Sequence, residues 1–380
     1  MREPPSDVYE ALARHLDGLP GGFPKTESGV ELRILQRLFT CHEAELAVHL
    51  SLIPEEAYVI AFRAGISRQE AASSLATMAK KGLIYSIHRN GSAPQYQAAQ
   101  FAVGIWEYQV NRMDEAFVRD MDEYWPVFFN LGNWQAMPQL RTIPIHESVN
   151  YSHDIMPYEQ AEAMIGAHDR IAVAPCVCRQ DRAIAGKPCE KPEETCLTFD
   201  GGADYYIRDG RGRAITQAEA LDIVRNANEV GLVLQPSNSR TASFICCCCG
   251  CCCGVLRNLK QQPNPAELVI SAHVAALDPE SCIGCGRCLE RCEMDALDKH
   301  STKVSVLTHR CIGCGLCVTT CPTGALTLNR KPSSDQPRIP RTMAHTVLRL
   351  AHARGKLGPI DLIKMVVKSQ WHRLVGRRVD

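Results

Sequence analysis

The sequence predicts an α+β, multidomain protein. Three observations carry that expectation. The chain has 380 residues, 45% hydrophobic and 22% charged. At roughly 100–200 residues per domain, that supports two to four folded domains. Apolar residues recur at helical spacing in the first third, whereas short apolar runs and glycine-rich turns mark the next. Cysteine is blocked: of 20 cysteines, all but Cys41 lie between Cys176 and Cys321. Four segments follow from these shifts, 1–125, 126–262, 263–331 and 332–380.

Segment 1–125 reads as helical. "GVELRILQRLF" and "HEAELAVHLSL" place apolar residues on one helical face. "ISRQEAASSLATMAKKGLI" opens with Ser67 and Glu70 in capping-box spacing and is expected to stop near Gly82. "LIYSIHRNGSAPQYQAAQ" reads as two strands around an Asn90-Gly91 turn. Helices followed by a hairpin is the order of a winged-helix-like domain. A further helix is expected in "WEYQVNRMDEAFVRDMDEYW". Only Arg68, Lys80 and Lys81 on the candidate recognition helix, with His88 and Arg89 in the hairpin, offer positive charge, and the next helix is acidic. DNA is therefore not the expected partner, and a protein-docking or structural role is. A redox-responsive regulator is the rival function from another class.

Segment 126–262 mixes helix and strand and is expected to be a cysteine-rich α/β domain. "PYEQAEAMIGAHD" reads as a helix and "RIAVAP" as a buried strand leading into Cys176. In "ITQAEALDIVRNANEVGLVLQPSN", Thr216 and Glu219 cap a helix, Gly231 stops it and "LVLQ" continues as a strand. "DGGADYYIRDGRGR" reads as turns or a hairpin. The chemistry lies in Cys176, Cys178, Cys189 and Cys196, followed by "FICCCCGCCCGVLR", where only Gly250 interrupts the run Cys246–Cys253. Thiolates this dense repel one another unless metal or protons compensate them, and Arg179, Arg182 and Lys187 lie close in sequence. Three readings stay open: one or two further iron–sulfur clusters; a zinc site of Cys176, Cys178, Cys189 and Cys196; or a non-cubane or fused cluster. An extended run would send alternate cysteines to two centres, a helical run would converge every third or fourth, and Gly250 and Gly254 favour a tight loop instead.

Segment 263–331 holds an internal repeat, "CIGCGRCLERCEMDAL" returning as "CIGCGLCVTTCPTGAL". Cys282, Cys285, Cys288 and Cys292 follow a Cys-x2-Cys-x2-Cys-x3-Cys spacing, and Cys311, Cys314, Cys317 and Cys321 repeat it. This resembles the bacterial two-cluster ferredoxin family. The resemblance implies two [4Fe–4S] clusters in which the fourth cysteine of each run serves the other cluster. One would use Cys282, Cys285, Cys288 and Cys321; the other Cys311, Cys314, Cys317 and Cys292. One departure stands out: Cys321 precedes Pro322, but Cys292 precedes Glu293. An acidic neighbour there is expected to lower that cluster's potential.

Residues 157–326 taken together resemble a group of cysteine-rich iron–sulfur proteins of anaerobes. The likeness implies electron transfer, and it implies that position 247 tolerates a residue other than cysteine. The candidate ligands of the middle segment are therefore Cys176, Cys178, Cys189, Cys196, Cys246, Cys248, Cys249, Cys251, Cys252 and Cys253. The "CCG" triplets ending at Gly250 and Gly254 are similar to those of the cysteine-rich domain of heterodisulfide reductase. There a Cys-x2-Cys follows, and in this chain the next one, at Cys282, belongs to the ferredoxin-type motif.

"KPSSDQPRIP" is a linker by composition, and the tail from Arg341 reads as one or two amphipathic helices broken near Gly355–Pro359. It is basic: Arg349, Arg354, Lys356, Lys364, Lys368, Arg373, Arg377 and Arg378 stand against Asp361 and Asp380. Such a tail suits a membrane surface, an acidic protein, or the chain's own acidic stretch around Met113–Tyr124. No signal-peptide pattern and no apolar run of about 18 residues occurs, so a cytoplasmic chain is expected; a tail packed as a solvated helix on its own protein is favoured slightly over one that associates with a membrane. A formal net charge of +0 gives no global pull toward nucleic acid. No G-x-G-x-x-G follows a strand and no Walker loop occurs, so no nucleotide is expected. His273, His300 and His309 are scattered and read as structural. The expected function is an electron carrier rather than an enzyme. It would pass electrons between a redox protein partner, such as an anaerobic oxidoreductase, and the cysteine-rich centre.

Overall fold

The computed structural model describes residues 6–129, 138–145, 148, 156–300, 303–356 and 358–377. It is mixed helix and strand, and the chain divides into two compact units. Met1–Ala136 with Val347–Asp380 form one, and Met137–Thr346 form the other. The sequence segments thus group in pairs. The cysteine-rich and repeat segments share a unit, and the end of the tail joins the N-terminal segment.

In the first unit the helices are α1 (Ser6–Gly18), α2 (Val30–Leu38), α3 (Cys41–Ala47), α4 (Ala57–Ala64), α5 (Arg68–Lys81) and α6 (Glu115–Phe128). Local chemistry sets their ends. Thr40 and Glu43 form a reciprocal capping box on α3. The Ser67 side chain accepts the Glu70 amide at the start of α5, and Gly82 ends it at φ 80°. Strands β1 (Glu55–Glu56), β2 (Ile84–Ile87) and β3 (Gln95–Ala98) form an antiparallel sheet in the order β1-β3-β2. The β2–β3 hairpin expected around Asn90-Gly91 is present. Phe23, Phe101, Tyr124 and Phe128 pack as a tilted and edge-on aromatic cluster at the core.

One expectation changes here. The helix expected from Trp106 starts only at Glu115, where Asp114 accepts the Phe117 amide; Glu107–Gln109 is a short 3-10 turn. The acidic stretch also has partners outside the tail. Asp120 pairs with Arg33 (3.2 Å) and Arg37 (2.5 Å), and Glu123 with Arg33 (2.6 Å). The tail forms two helices, Met343–Ala353 and Pro359–Gly376. Several of its cations are tied to the N-terminal segment: Lys356 pairs with Asp17, Arg373 with Glu56, and Arg377 donates to the Tyr58 hydroxyl.

The second unit is built on a five-stranded antiparallel sheet. Its strands are β4 (Ile171–Pro175), β5 (Glu194–Phe199), β6 (Arg213–Ile215), β7 (Val233–Pro236) and β8 (Phe244–Cys248), in the order β6-β4-β5-β8-β7. Helices α7 (Ala161–Gly166), α8 (Val177–Ile184), α9 (Gly201–Arg208), α10 (Gln217–Glu229) and α11 (Gly254–Lys260) connect or follow these strands. α10 is capped by Thr216, as its sequence predicts. α9 corrects the reading of "DGGADYYIRDGRGR" as turns or a hairpin. The glycines occupy the first turn of the helix, where no side chain is needed. Ala203, Tyr205 and Tyr206 provide the buried face, and Gly210 at φ 69° ends the segment.

The repeat segment adds two antiparallel ribbons, β9 (His273–Leu277) with β12 (Leu326–Arg330) and β10 (Leu297–His300) with β11 (Lys303–Val306). Short helices α12 (Pro265–Leu268), α13 (Arg287–Arg291) and α14 (Leu316–Thr319) complete it. Arginines fasten it to the cysteine-rich part. Arg291 donates to the Glu229 carbonyl (2.7 Å), Arg310 to the Lys260 carbonyl (2.9 Å), and Arg330 pairs with buried Glu159 (2.7 Å).

Candidate metal centres

The repeat cysteines line two separate hollows. One is lined by Cys282, Cys285, Cys288 and Cys321; the other by Cys292, Cys311, Cys314 and Cys317. Each therefore draws its fourth cysteine from the opposite repeat. The helices α13 and α14 that follow the two loops pack on each other, which brings the repeats together. Backbone amides point at sulfur: Ala296 N–H donates to Cys292 Sγ (3.2 Å) and Ala275 N–H to Cys311 Sγ (3.4 Å). Soft thiolates in fours with amide donors on sulfur fit iron–sulfur ligation. The tight second loop requires Gly313, at φ 70°: a Cβ there would collide with the His273 carbonyl. The hollows differ in exposure. Cys285 is exposed and Ile283 beside it is 66% exposed, whereas Cys311 and Cys317 are buried. Burial pushes the Cys314 thiol well above its ordinary range.

The cysteine-rich part is organised by strand register. β4 delivers Cys176 to the first residue before α8, and Cys178 lies in its first turn. β5 and β8 pair so that Cys196 stands directly opposite Cys246. Side chains alternate along β8, so Cys246 and Cys248 share a face and Cys247 takes the other. Thus the first cysteines of the run are strand, Cys249–Cys252 make the turn, and Cys253 precedes α11. The tight loop expected from Gly250 and Gly254 covers only the middle of the run.

The thiols form two arrays. In the first, hydrogen-bond contacts join Cys176 to Cys178, Cys178 to Cys253, Cys253 to Cys248, Cys248 to Cys246 and Cys246 to Cys196. Gln235 Nε2 adds a contact to Cys253 Sγ at 3.7 Å. In the second, Cys189, Cys249, Cys251 and Cys252 converge. This corrects the grouping of Cys176, Cys178, Cys189 and Cys196 as one zinc site: Cys189 sits in the loop after α8 and turns to the Cys249–Cys252 turn, away from the sheet thiols. Each array takes cysteines from both sequence blocks.

Arg179 lies between the arrays. It is 3% exposed, donates to Thr195 Oγ1 (2.5 Å) and to the Cys247 carbonyl (3.0 Å), and its Nε has no hydrogen-bond acceptor among the described residues. Burial opposes its charge, but Cys176, Cys249, Cys248 and Cys189 outweigh that and hold its pKa raised. Cys249 is drawn down to about 5, first by its contact with Cys252 and then, against burial, by Arg179. Burial pushes Cys247 up to about 12.

Sequence reasoning did not anticipate one connection. The Gly250 amide, inside the cysteine run, donates to Glu293 Oε2 at 2.6 Å. A Cβ at Gly250 would meet the Glu293 carbonyl, so only glycine lets the two backbones close. Glu293 is the residue that replaces the proline after Cys292. Its departure from the family pattern was the only signal in the sequence, and nothing local named its partner.

No curated protein and no solved structure matches the chain. Residues 275–328 match the family model of the 4Fe-4S dicluster domain. Over that stretch the chain therefore carries a 4Fe–4S ferredoxin-type segment, set in one compact unit with a second, thiol-rich region.

Proposed function

We propose that this protein is an iron–sulfur electron carrier. Its ferredoxin-type segment would exchange electrons with a redox partner on one side and with the cysteine-rich centre on the other. Two [4Fe–4S] clusters, one on Cys282, Cys285, Cys288 and Cys321 and one on Cys292, Cys311, Cys314 and Cys317, would supply one-electron chemistry. The six thiols Cys176, Cys178, Cys196, Cys246, Cys248 and Cys253 are the candidate ligands of a further iron–sulfur centre. The observation that carries this reading is the Glu293–Gly250 hydrogen bond, which links the residue after Cys292 to the residue between Cys249 and Cys251. The exposure gradient supports a direction. Cys285 and Ile283 offer a partner a solvent-facing edge, whereas the other hollow is turned inward.

Anaerobic iron and sulfide analysis of the full chain, with EPR during reductive titration, tests this. The two cubanes account for about eight irons. Iron and sulfide above that, with an additional reducible signal, is the expected result. About eight irons and no redox response from the thiol-rich region would remove the second centre.

The tail favours an anionic lipid surface as a further contact. Ile360, Ile363, Val367, Trp371 and Leu374 recur at three- and four-residue intervals along Pro359–Gly376, and all are 61% to 66% exposed. Lys364 and Lys368 are exposed on the same helix, and its other face is tied to α4 and β1 through Arg373 and His372. An apolar stripe edged by lysines, with a tryptophan in it, has the chemistry of an interfacial helix. No helix among the described residues is long and apolar enough to cross a membrane. On the candidate recognition helix, Lys81 pairs with Glu43 and Arg68 donates to the Gly376 carbonyl, which supports a partner other than DNA.

A further inference from the structure

We propose that Cys189, Cys249, Cys251 and Cys252 bind a single tetrathiolate metal ion, Zn²⁺ or Fe²⁺, distinct from any cluster. The sulfur spacing carries this. The four Sγ atoms all lie within 4.8 Å of one another. Cys189 and Cys249 are 3.9 Å apart, and Cys251 and Cys252 are 3.7 Å apart. A tetrahedral ion with metal–sulfur bonds of about 2.3 Å puts its sulfurs about 3.8 Å apart. A cubane places each thiolate on a different iron and holds them wider. The ferredoxin-type hollows provide the comparison within the same molecule. Among the described residues, no other group of three or more Cys, His, Asp or Glu ligand atoms closes to that distance, their eight cysteines included.

The site is also braced. The Cys253 amide donates to the Cys249 carbonyl (3.1 Å), closing the turn, and Glu293 holds Gly250 at its apex. The Lys191 amide donates to Cys189 Sγ (3.4 Å), and Lys191 Nζ is held by the Val230 carbonyl. Cys249 and Cys252 are buried, Cys189 is half-buried and Cys251 is exposed, which leaves an entry path for an ion. Four thiolates around a divalent ion leave two negative charges, and Arg179 and Lys191 stand near to offset them. The assignment does not depend on the electron-carrier reading, because a Zn²⁺ ion would fix the turn without any redox role.

The test uses the full chain purified anaerobically. Zinc, iron and acid-labile sulfide are measured per chain in wild type and in the Cys189→Ser/Cys252→Ser double variant. Expected is one ion in wild type, either zinc or iron in excess of sulfide, that disappears in the variant while sulfide stays constant. Retained sulfide and an unchanged cubane EPR signal show that the variant has folded. On unmutated protein, zinc-edge X-ray absorption should show four sulfurs at about 2.3 Å; for iron, Mössbauer spectroscopy should show one high-spin tetrathiolate site. Loss of four irons with four sulfides would make the site a cubane and overturn the proposal. Unchanged metal content, or a wild type holding no such ion, would overturn it equally.

Discussion

Replacing Glu293 with alanine leaves the buried Gly250 amide without its acceptor. That bond is short, at 2.6 Å, and its acceptor is a carboxylate. Hydrogen bonds to charged groups are worth about 1.5–3 kcal/mol. Glu293 is half-buried, so the lower end applies, about 1.5 kcal/mol, or roughly tenfold in an equilibrium constant. The turn that carries Cys249, Cys251 and Cys252 should close less favourably by that factor. Competition with a chelator should then show about tenfold weaker retention of the turn-held ion in Glu293→Ala, with the cubane absorbance unchanged. Glu293→Gln keeps an acceptor oxygen of the same reach and should recover most of the loss. Gly250→Ala, which forces a Cβ against Glu293, should fall at least as far as Glu293→Ala, since overpacking adds about 1–3 kcal/mol. Wild-type retention in Glu293→Ala would refute the reasoning, as would a glutamine variant as weak as the alanine one.

Three further outcomes follow from other sites. Glu43 is buried, and although burial raises its pKa, hydrogen bonds from Lys81 and the Thr40 amide outweigh this and lower it. A carboxylate depressed in the fold contributes stability above its unfolded pKa of about 4.3 and loses it as pH falls through the folded value. Unfolding of the first unit should therefore ease below about pH 4 in wild type, and Glu43→Gln should flatten that limb, as scanning fluorimetry over pH can show. Arg179→Lys keeps the charge but cannot reach both Thr195 and the Cys247 carbonyl; it should lower the iron and sulfide retained by the thiol-rich region, and unchanged retention would remove that role. Vesicles of anionic phospholipid should sediment the wild-type chain, neutral vesicles should bind it more weakly, and Trp371→Ala with Ile363→Asp should abolish sedimentation. Equal failure with both lipids would point instead to an acidic protein on the tail helix.

The parts legible in the sequence are those whose chemistry is local. The eight repeat cysteines announce themselves because their ligand loops close within a few residues. Ser67, Thr216 and Gly82 mark helix ends because caps act on the adjacent turn. The division of the ten candidate thiols of the middle segment was not legible, because it follows from which strands lie beside β8 and in what register. Nothing near Cys189 in the sequence says that it faces Cys249 rather than Cys176, and nothing near Glu293 points back to Gly250. The helix Gly201–Arg208 was missed for another reason. Its glycine-rich opening reads as a turn until tertiary burial of Tyr205 and Tyr206 decides otherwise.

The pairing of Cys196 with Cys246 has a consequence for how the chain assembles. Side chains alternate along a strand, so sliding β8 by one residue would put Cys247 and Cys249 where Cys246 and Cys248 now stand. Both settings present cysteine, and the thiols themselves therefore barely distinguish the right alignment from the wrong one. The distinction falls to Ile245, buried opposite Leu197, and to Gly250, the one residue that fits beneath Glu293. The face proposed to bind metal is thus aligned by residues that offer it no ligand. A cysteine run this uniform relies on its neighbours, Ile245 and Gly250, to set the alignment of the strand that carries it.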